Sequence, residues 1–494
     1  MVTENQEAIP ELPPLITSAP AHIRLSQKQR QALIFLALAV PLWIVLSVLA
    51  IADRIVMLTF IGGLFLLVVI FGMRTEYLLF LWLITQEFNQ MAKWVLRVHL
   101  LGVGIKGIFF AAVLSQLPAK FSLMPRRLFR SVPVRWPVYL LLMWTAASIF
   151  WSDYPIYGLN RYLTWVMAFI FYALVFLTIN DQNKRLFFIM FAVVTGLSVL
   201  LGFAQGLGLG TSFPTDEALG DRRIFTSQWH TGTGGLMFRA SGLAGHPNTF
   251  GRECALFFCV LMMMLISWRP RPVWRLVILG FLAMTIVTIV ITMSRVAWGY
   301  FIVGTVAFLF FARRRWLVPF GVLTGIIVLI ALPQILERIQ PILEGNDPSV
   351  AARMYASDTY LEYWRMQPIT GFGFGSTGGG ALFKCRTSPH EGYVFLLSYL
   401  GLIGLFLYIF LVVALLRKAL RVTRDRLVQA DPELRAMAAL GFSLAAVMAL
   451  NFVVSVEFHQ NVWYLLGATM AAPRIARNRM AQAEIETVEN GLKG

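Results

Sequence analysis

The stretch 387–405, TSPHEGYVFLLSYLGLIGL, carries the chain from a polar loop into an apolar run that continues to about residue 416. Ser388 and Glu391 stand in the Ser-x-x-Glu spacing of a capping box, and Pro389 falls at the first helical position, where a missing N–H costs nothing. The spacing therefore predicts a helix that starts at a water–lipid boundary with His390 in its first turn. The positive end of the helix dipole disfavours imidazolium there, while Glu391 pulls the other way. A neutral imidazole in that position can serve as a general base. It can equally be an interfacial polar side chain with no chemistry.

Working outward, the same apolar character recurs along most of the chain. Hydrophobic residues make up 58% of the 494 and charged residues only 14%. Apolar runs of about 20 residues are long enough to cross a bilayer. Fourteen segments of this kind can be read between residues 31 and 473, three of them short or polar-spotted. The expected fold class is therefore all-α: a polytopic integral membrane protein of 12–14 transmembrane helices. Residues 1–30 read as a disordered cytoplasmic N-terminal tail, 31–474 as the transmembrane domain and 475–494 as a cytoplasmic C-terminal tail.

The net charge of +17 does not call for nucleic acid. In a membrane protein Lys and Arg collect in cytoplasmic loops and set orientation. With the N-terminus inside, about two-thirds of the 42 Lys and Arg fall in the inner loops, so both termini are expected in the cytoplasm. The three cysteines, Cys254, Cys259 and Cys385, suggest neither a disulfide framework nor a metal site. No cofactor or metal is expected.

Two long loops, 207–249 and 333–389, fall on the outer side. Asp347-Pro348 reads as a helix start, and the helix should run to about Met366 and stop before Pro368. Arg353, Ser357, Tyr360 and Trp364 then share one face. The run GFGFGSTGGG (371–380) lacks the Gly-Lys-Ser/Thr ending of a nucleotide loop and reads as a flexible turn.

The outer side is poor in basic residues, which makes Arg239, Arg252, Arg295 and Arg353 notable. Each can be an arginine that snorkels to lipid headgroups. Together they suit a phosphate-bearing ligand, because a guanidinium binds phosphate as a planar fork. Lys106 is an intramembrane charge. His246, Glu391 and Glu457 are candidate acceptor-binding residues on the same side.

Four stretches are similar to the O-antigen ligase and polymerase superfamily of bacterial membrane glycosyltransferases: RASGLAGHPNTFG (239–251), MSRVAWG (293–299), ARMYASDTYLEYWRMQPITGFGFGS (352–376) and HEGYVFLLSYLGLIGLFLYIF (390–410). The resemblance covers about residues 235–475. It implies a metal-independent transfer of an undecaprenyl-diphosphate-linked glycan to a sugar hydroxyl at the periplasmic face of the inner membrane. His390 would be the catalytic base, and Arg239, Arg295 and Arg353 would hold the diphosphate. Glu391 departs from the Asn common in the family at that place, which leaves the acceptor chemistry open. The implied partners are the lipid-linked donor, a lipid-linked repeat or lipid A core as acceptor, membrane lipids, a polysaccharide flippase and a chain-length regulator. Polymerisation of surface-polysaccharide repeats is the reading adopted, with ligation to lipid A core as its alternative. A polysaccharide or lipid transporter (a flippase) is the reading of another class.

Overall fold

The computed structural model describes, with isolated exceptions, residues 76–84, 131–207, 227–230, 236–244, 247–330, 348–376, 392–450 and 460–491. All of them fall in one compact unit, Val69–Gly494. The described residues are predominantly helical. Its helices are α1 (Arg135–Ser148), α2 (Pro155–Thr178), α3 (Lys184–Gly206), α4 (Pro247–Ser267), α5 (Pro272–Ile291), α6 (Arg295–Ala312), α7 (Leu317–Ile330), α8 (Pro348–Met366), α9 (Gly392–Arg424), α10 (Arg426–Ala430), α11 (Pro432–Ala449), α12 (Gln460–Met470) and α13 (Ala472–Gly491). Seven of them (α2 to α6, α9 and α11) are long and apolar enough to cross a membrane. This establishes the all-α polytopic class for the described residues. One departure is a short antiparallel hairpin, β1 (Ser227–His230) with β2 (Leu236–Arg239), in the loop between α3 and α4.

Several helix starts follow from local sequence. Proline occupies the first turn of α2, α5 and α11, where its fixed φ suits the helix. Asp431 caps α11 by accepting from the amides of Glu433 (2.7 Å) and Leu434 (3.1 Å). Ser294 caps α6 in the same way, accepting from Ala297 N at 3.2 Å.

The bundle is organised around α4 and α11. In α4, 78% of the membrane-crossing window is buried, against 28% in α5. A helix apolar all round and buried belongs to the core; one left open to the outside meets lipid tails. α11 packs against α4, α6, α9 and α12. Halfway along, Cys259 of α4, Thr305 of α6 and Ser443 of α11 meet, and Ser443 Oγ donates to the Gly304 carbonyl at 2.7 Å. An aromatic layer around Tyr464 of α12, with Phe171, Phe187 and Phe191, joins α2 and α3 to it.

The two ends of the bundle differ chemically. At one end Lys184 and Arg185 reach Glu433, while Arg479 of α13 bridges Asp181 and Asp431. Residues 475–491 are part of a helix docked on α10 and α11. The opposite end gathers the starts of α4, α6 and α9.

Candidate functional site

The first two quoted stretches meet at that opposite end. β2 terminates at Arg239, which is buried. Its Nε donates to the Thr292 carbonyl at 2.7 Å and its Nη2 to Asn248 Oδ1 at 3.3 Å. Ser294 Oγ donates to the same Asn248 oxygen at 2.7 Å. Asn248 therefore pins the end of the hairpin to the tight turn between α5 and α6, where Met293 adopts φ 49°. α3 clips the chain that follows: Gln205 Oε1 accepts from the amides of Ser241 and Gly242, both at 3.0 Å, and Ser198 Oγ accepts from Leu243 N at 3.0 Å. Arg295, half-buried, is the first residue of α6 beyond this turn.

The third and fourth stretches meet as well. α8 spans Pro348–Met366, the limits expected from Asp347-Pro348 and Pro368. Beyond it the chain crosses α9 where that helix breaks, at Gly401 (φ 69°, ψ −169°), a conformation open essentially to glycine alone. Ser398 and Tyr399 lose their helical partners at the break, and their carbonyls accept instead from Phe372 N (2.9 Å) and Gly373 N (3.0 Å). The freed amide of Leu402 donates to the Pro368 carbonyl at 2.9 Å, and that of Ile403 to Ile369 at 3.4 Å. A broken helix inside a membrane must have its backbone groups satisfied by another segment, and residues 368–373 supply the partners.

The glycine run is consequently a packed element over 371–376, not the flexible turn expected. A Cβ on Gly375 would fall 2.3 Å from Gly158 Cα of α2, so the two backbones touch. Trp151 Nε1 donates to the Gly371 carbonyl at 3.1 Å, and Ser148 Oγ accepts from Phe374 N at 3.1 Å. Tyr363 of α8 stacks on Phe372 with ring centroids 3.4 Å apart. Its phenol is pushed up to about 12, by burial first and then by the neighbouring Asp153 carboxylate, to which it hydrogen-bonds. Loop, α8 and the first two turns of α9 thus form one assembly on α1 and α2.

Side chains of α9 join the two assemblies. Tyr393, in the first turn, donates to the Ala449 carbonyl of α11 at 3.2 Å and lies within electrostatic reach of Tyr300 of α6. Tyr300 in turn feels the guanidinium of Arg252 of α4. On another face of α9, Arg161 of α2 lies over the rings of Phe395 (5.1 Å) and Tyr157 (5.7 Å).

Of the residues singled out from sequence, Arg239 and Arg295 fall on either side of the Thr292–Ser294 turn. Arg353 lies on α8, of whose course only the backbone is described at that position. His390, Glu391, His246, Glu457 and Lys106 lie outside the described residues. The sequence reading missed Asn248 and Ser294 as the joint between two motifs. The available signal was that both are small polar residues at the mouth of an apolar span, where only a specific partner justifies them.

Residues 280–409 match the O-antigen ligase family model. The matched segment, about a quarter of the chain, runs from α5 through the Ser294–Arg295 turn, α8 and the glycine loop into α9 beyond the break. It supports placement in the O-antigen ligase and polymerase superfamily. No curated protein matches the chain.

Proposed function

We propose that the protein is an inner-membrane glycosyltransferase that moves a glycan from undecaprenyl diphosphate to a sugar hydroxyl at the periplasmic face. The observation that carries this reading is the convergence of the four family-like stretches, in two hydrogen-bonded pairs, at the end of the bundle where α9 begins. Residues scattered over 239–410 are held together by side-chain and backbone bonds that a simple span bundle does not need.

In this reading His390 takes the proton of the attacking hydroxyl. Arginines neutralise the leaving diphosphate as its charge develops, which is electrostatic stabilisation of the transition state. Arg295 and Arg353 are the first candidates for that contact. Arg239 has two of its donors committed to Thr292 and Asn248, so its part is to hold the turn that presents Arg295.

Between the two reactions of the superfamily we adopt polymerisation of surface-polysaccharide repeats. A deletion strain tests the choice. Single repeats remaining on the carrier or on the core fit a polymerase. Long chains accumulating on undecaprenyl diphosphate, unattached to core, identify a ligase instead.

A further inference from the structure

Arg252 sits in the second turn of α4, one of the most enclosed helices of the bundle, and its side chain is buried (4% exposed). Among the described residues its Nη2 meets no hydrogen-bond acceptor. A buried guanidinium keeps its charge, and leaving its N–H groups unmet is costly.

The surroundings indicate what is missing. Gly251 allows the backbones of α4 and α6 to approach, since a Cβ there would fall 2.3 Å from Ala297 Cβ. One turn further along α6, the buried Tyr300 lies within electrostatic reach of both Arg252 and Tyr393 of α9. Asn248, which accepts from Arg239 and Ser294, lies one turn before Arg252 on α4, a separation that puts the two side chains on the same helical face. The unmet donor therefore lies at the end of the bundle that holds the Arg239–Asn248–Ser294 joint, and it is screened from bulk water.

We propose that Arg252 binds a phosphate oxygen of the lipid-linked donor. This rests on the transferase reading, and it adds to the site a residue for which sequence alone left a headgroup role equally open. A phosphate oxygen fits because it offers the strong anionic acceptor that a planar N–H donor lacks here. Being buried, the contact gains from a low local dielectric, in contrast to an arginine exposed at the headgroups.

The test is binding, read without turnover. Purified wild type, Arg252→Gln and Arg252→Lys are titrated in detergent with undecaprenyl diphosphate, with undecaprenol and phosphatidylglycerol as controls, by native mass spectrometry. Thermal unfolding with and without lipid is followed alongside. Arg252→Gln should weaken diphosphate binding about tenfold or more, the size of one lost charge-assisted bond. Arg252→Lys should be weakened less, undecaprenol retention should not change, and the stabilisation of wild type by the diphosphate should shrink in both variants. Undiminished diphosphate binding by either folded variant overturns the assignment. So does an equal loss of phosphatidylglycerol, which would make Arg252 a headgroup anchor. If wild type itself fails to retain undecaprenyl diphosphate above phosphatidylglycerol, the transferase reading falls, and this assignment with it.

Discussion

The α-carbon of Gly401 faces the carbonyl of Ile369 so closely that a Cβ would lie 2.1 Å from its oxygen. Two segments more than thirty residues apart in the chain share one backbone junction there. α9 is broken in its third turn, and the loop after α8 is the splint. The segment of α9 before the break is thereby oriented by α8 and the glycine loop rather than by the longer segment beyond it alone.

Gly401→Ala should be damaging on two counts. The left-handed, extended conformation costs a non-glycine residue about 1–3 kcal/mol, and the new methyl has no room. We expect a lower unfolding midpoint in detergent and loss of most transfer activity. A variant with wild-type midpoint and activity would mean that the break does not position the site.

Asn248→Ala should uncouple the end of β2 from the turn before α6. Arg239 Nη2 and the Ser294 hydroxyl both lose an acceptor in a buried place, which costs about 1–3 kcal/mol for such groups. Activity should fall with stability, and Arg239→Lys should behave similarly, since an ammonium cannot serve Thr292 and Asn248 as a fork does. Full activity in Arg239→Lys would remove that joint from the account.

The opposite end makes a pH-dependent prediction. Burial alone would raise the Asp181 carboxyl, but hydrogen bonds from Arg479 and Lys184 outweigh it and hold the group below the usual carboxylate range. For Asp431 too burial is outweighed, by the Leu434 amide, Arg479 and the Glu433 amide. Both folded values are depressed, so the stabilisation is complete above the ordinary carboxylate value of about 3.9 and is lost as pH falls below it. The pairs are partly exposed, and the bridge contributes about 1 kcal/mol or less per pair. At neutral pH, Arg479→Ala should make α13 more sensitive to proteolysis without altering the far end of the bundle. Equal protection in wild type and variant would show that α13 is held by its apolar contacts alone.

Sidedness is testable with cysteines in a Cys385→Ser background, Cys254 and Cys259 being buried. Phe150→Cys, at a position 93% exposed, should react with an impermeant maleimide in cells with a permeabilised outer membrane. Cysteines at Arg314 and Arg424 should react only after lysis. The reverse pattern would put the start of α9 in the cytoplasm, away from the proposed donor.

The spans were legible because long apolar runs have one solution in a bilayer, and α8 was legible because prolines mark both its ends. The break at Gly401 was not. A glycine within a leucine-rich run reads as a tolerated helix residue, and its conformation depends on carbonyls and amides supplied from 368–373. For the same reason GFGFG read as flexible: its glycines serve backbone contact with α2 and α9, a relation with no local signature. The hairpin before α4 was equally hidden, because its pairing partners lie in a loop without strong strand patterning. Arg239 and Arg295 were legible as out-of-place charges. That Arg239 is tied to the Thr292 carbonyl and Asn248 depends on how two distant loops meet.

The central claim is that His390 is the base for glycosyl transfer, and an assay with purified protein, undecaprenyl-diphosphate-linked repeat units and wild type beside His390→Ala tests it most directly. Wild type should form products longer than one repeat. His390→Ala should be slower by about 10² to 10⁴ while unfolding at the wild-type midpoint and still retaining undecaprenyl diphosphate. A folded His390→Ala protein that transfers at near the wild-type rate would contradict the account.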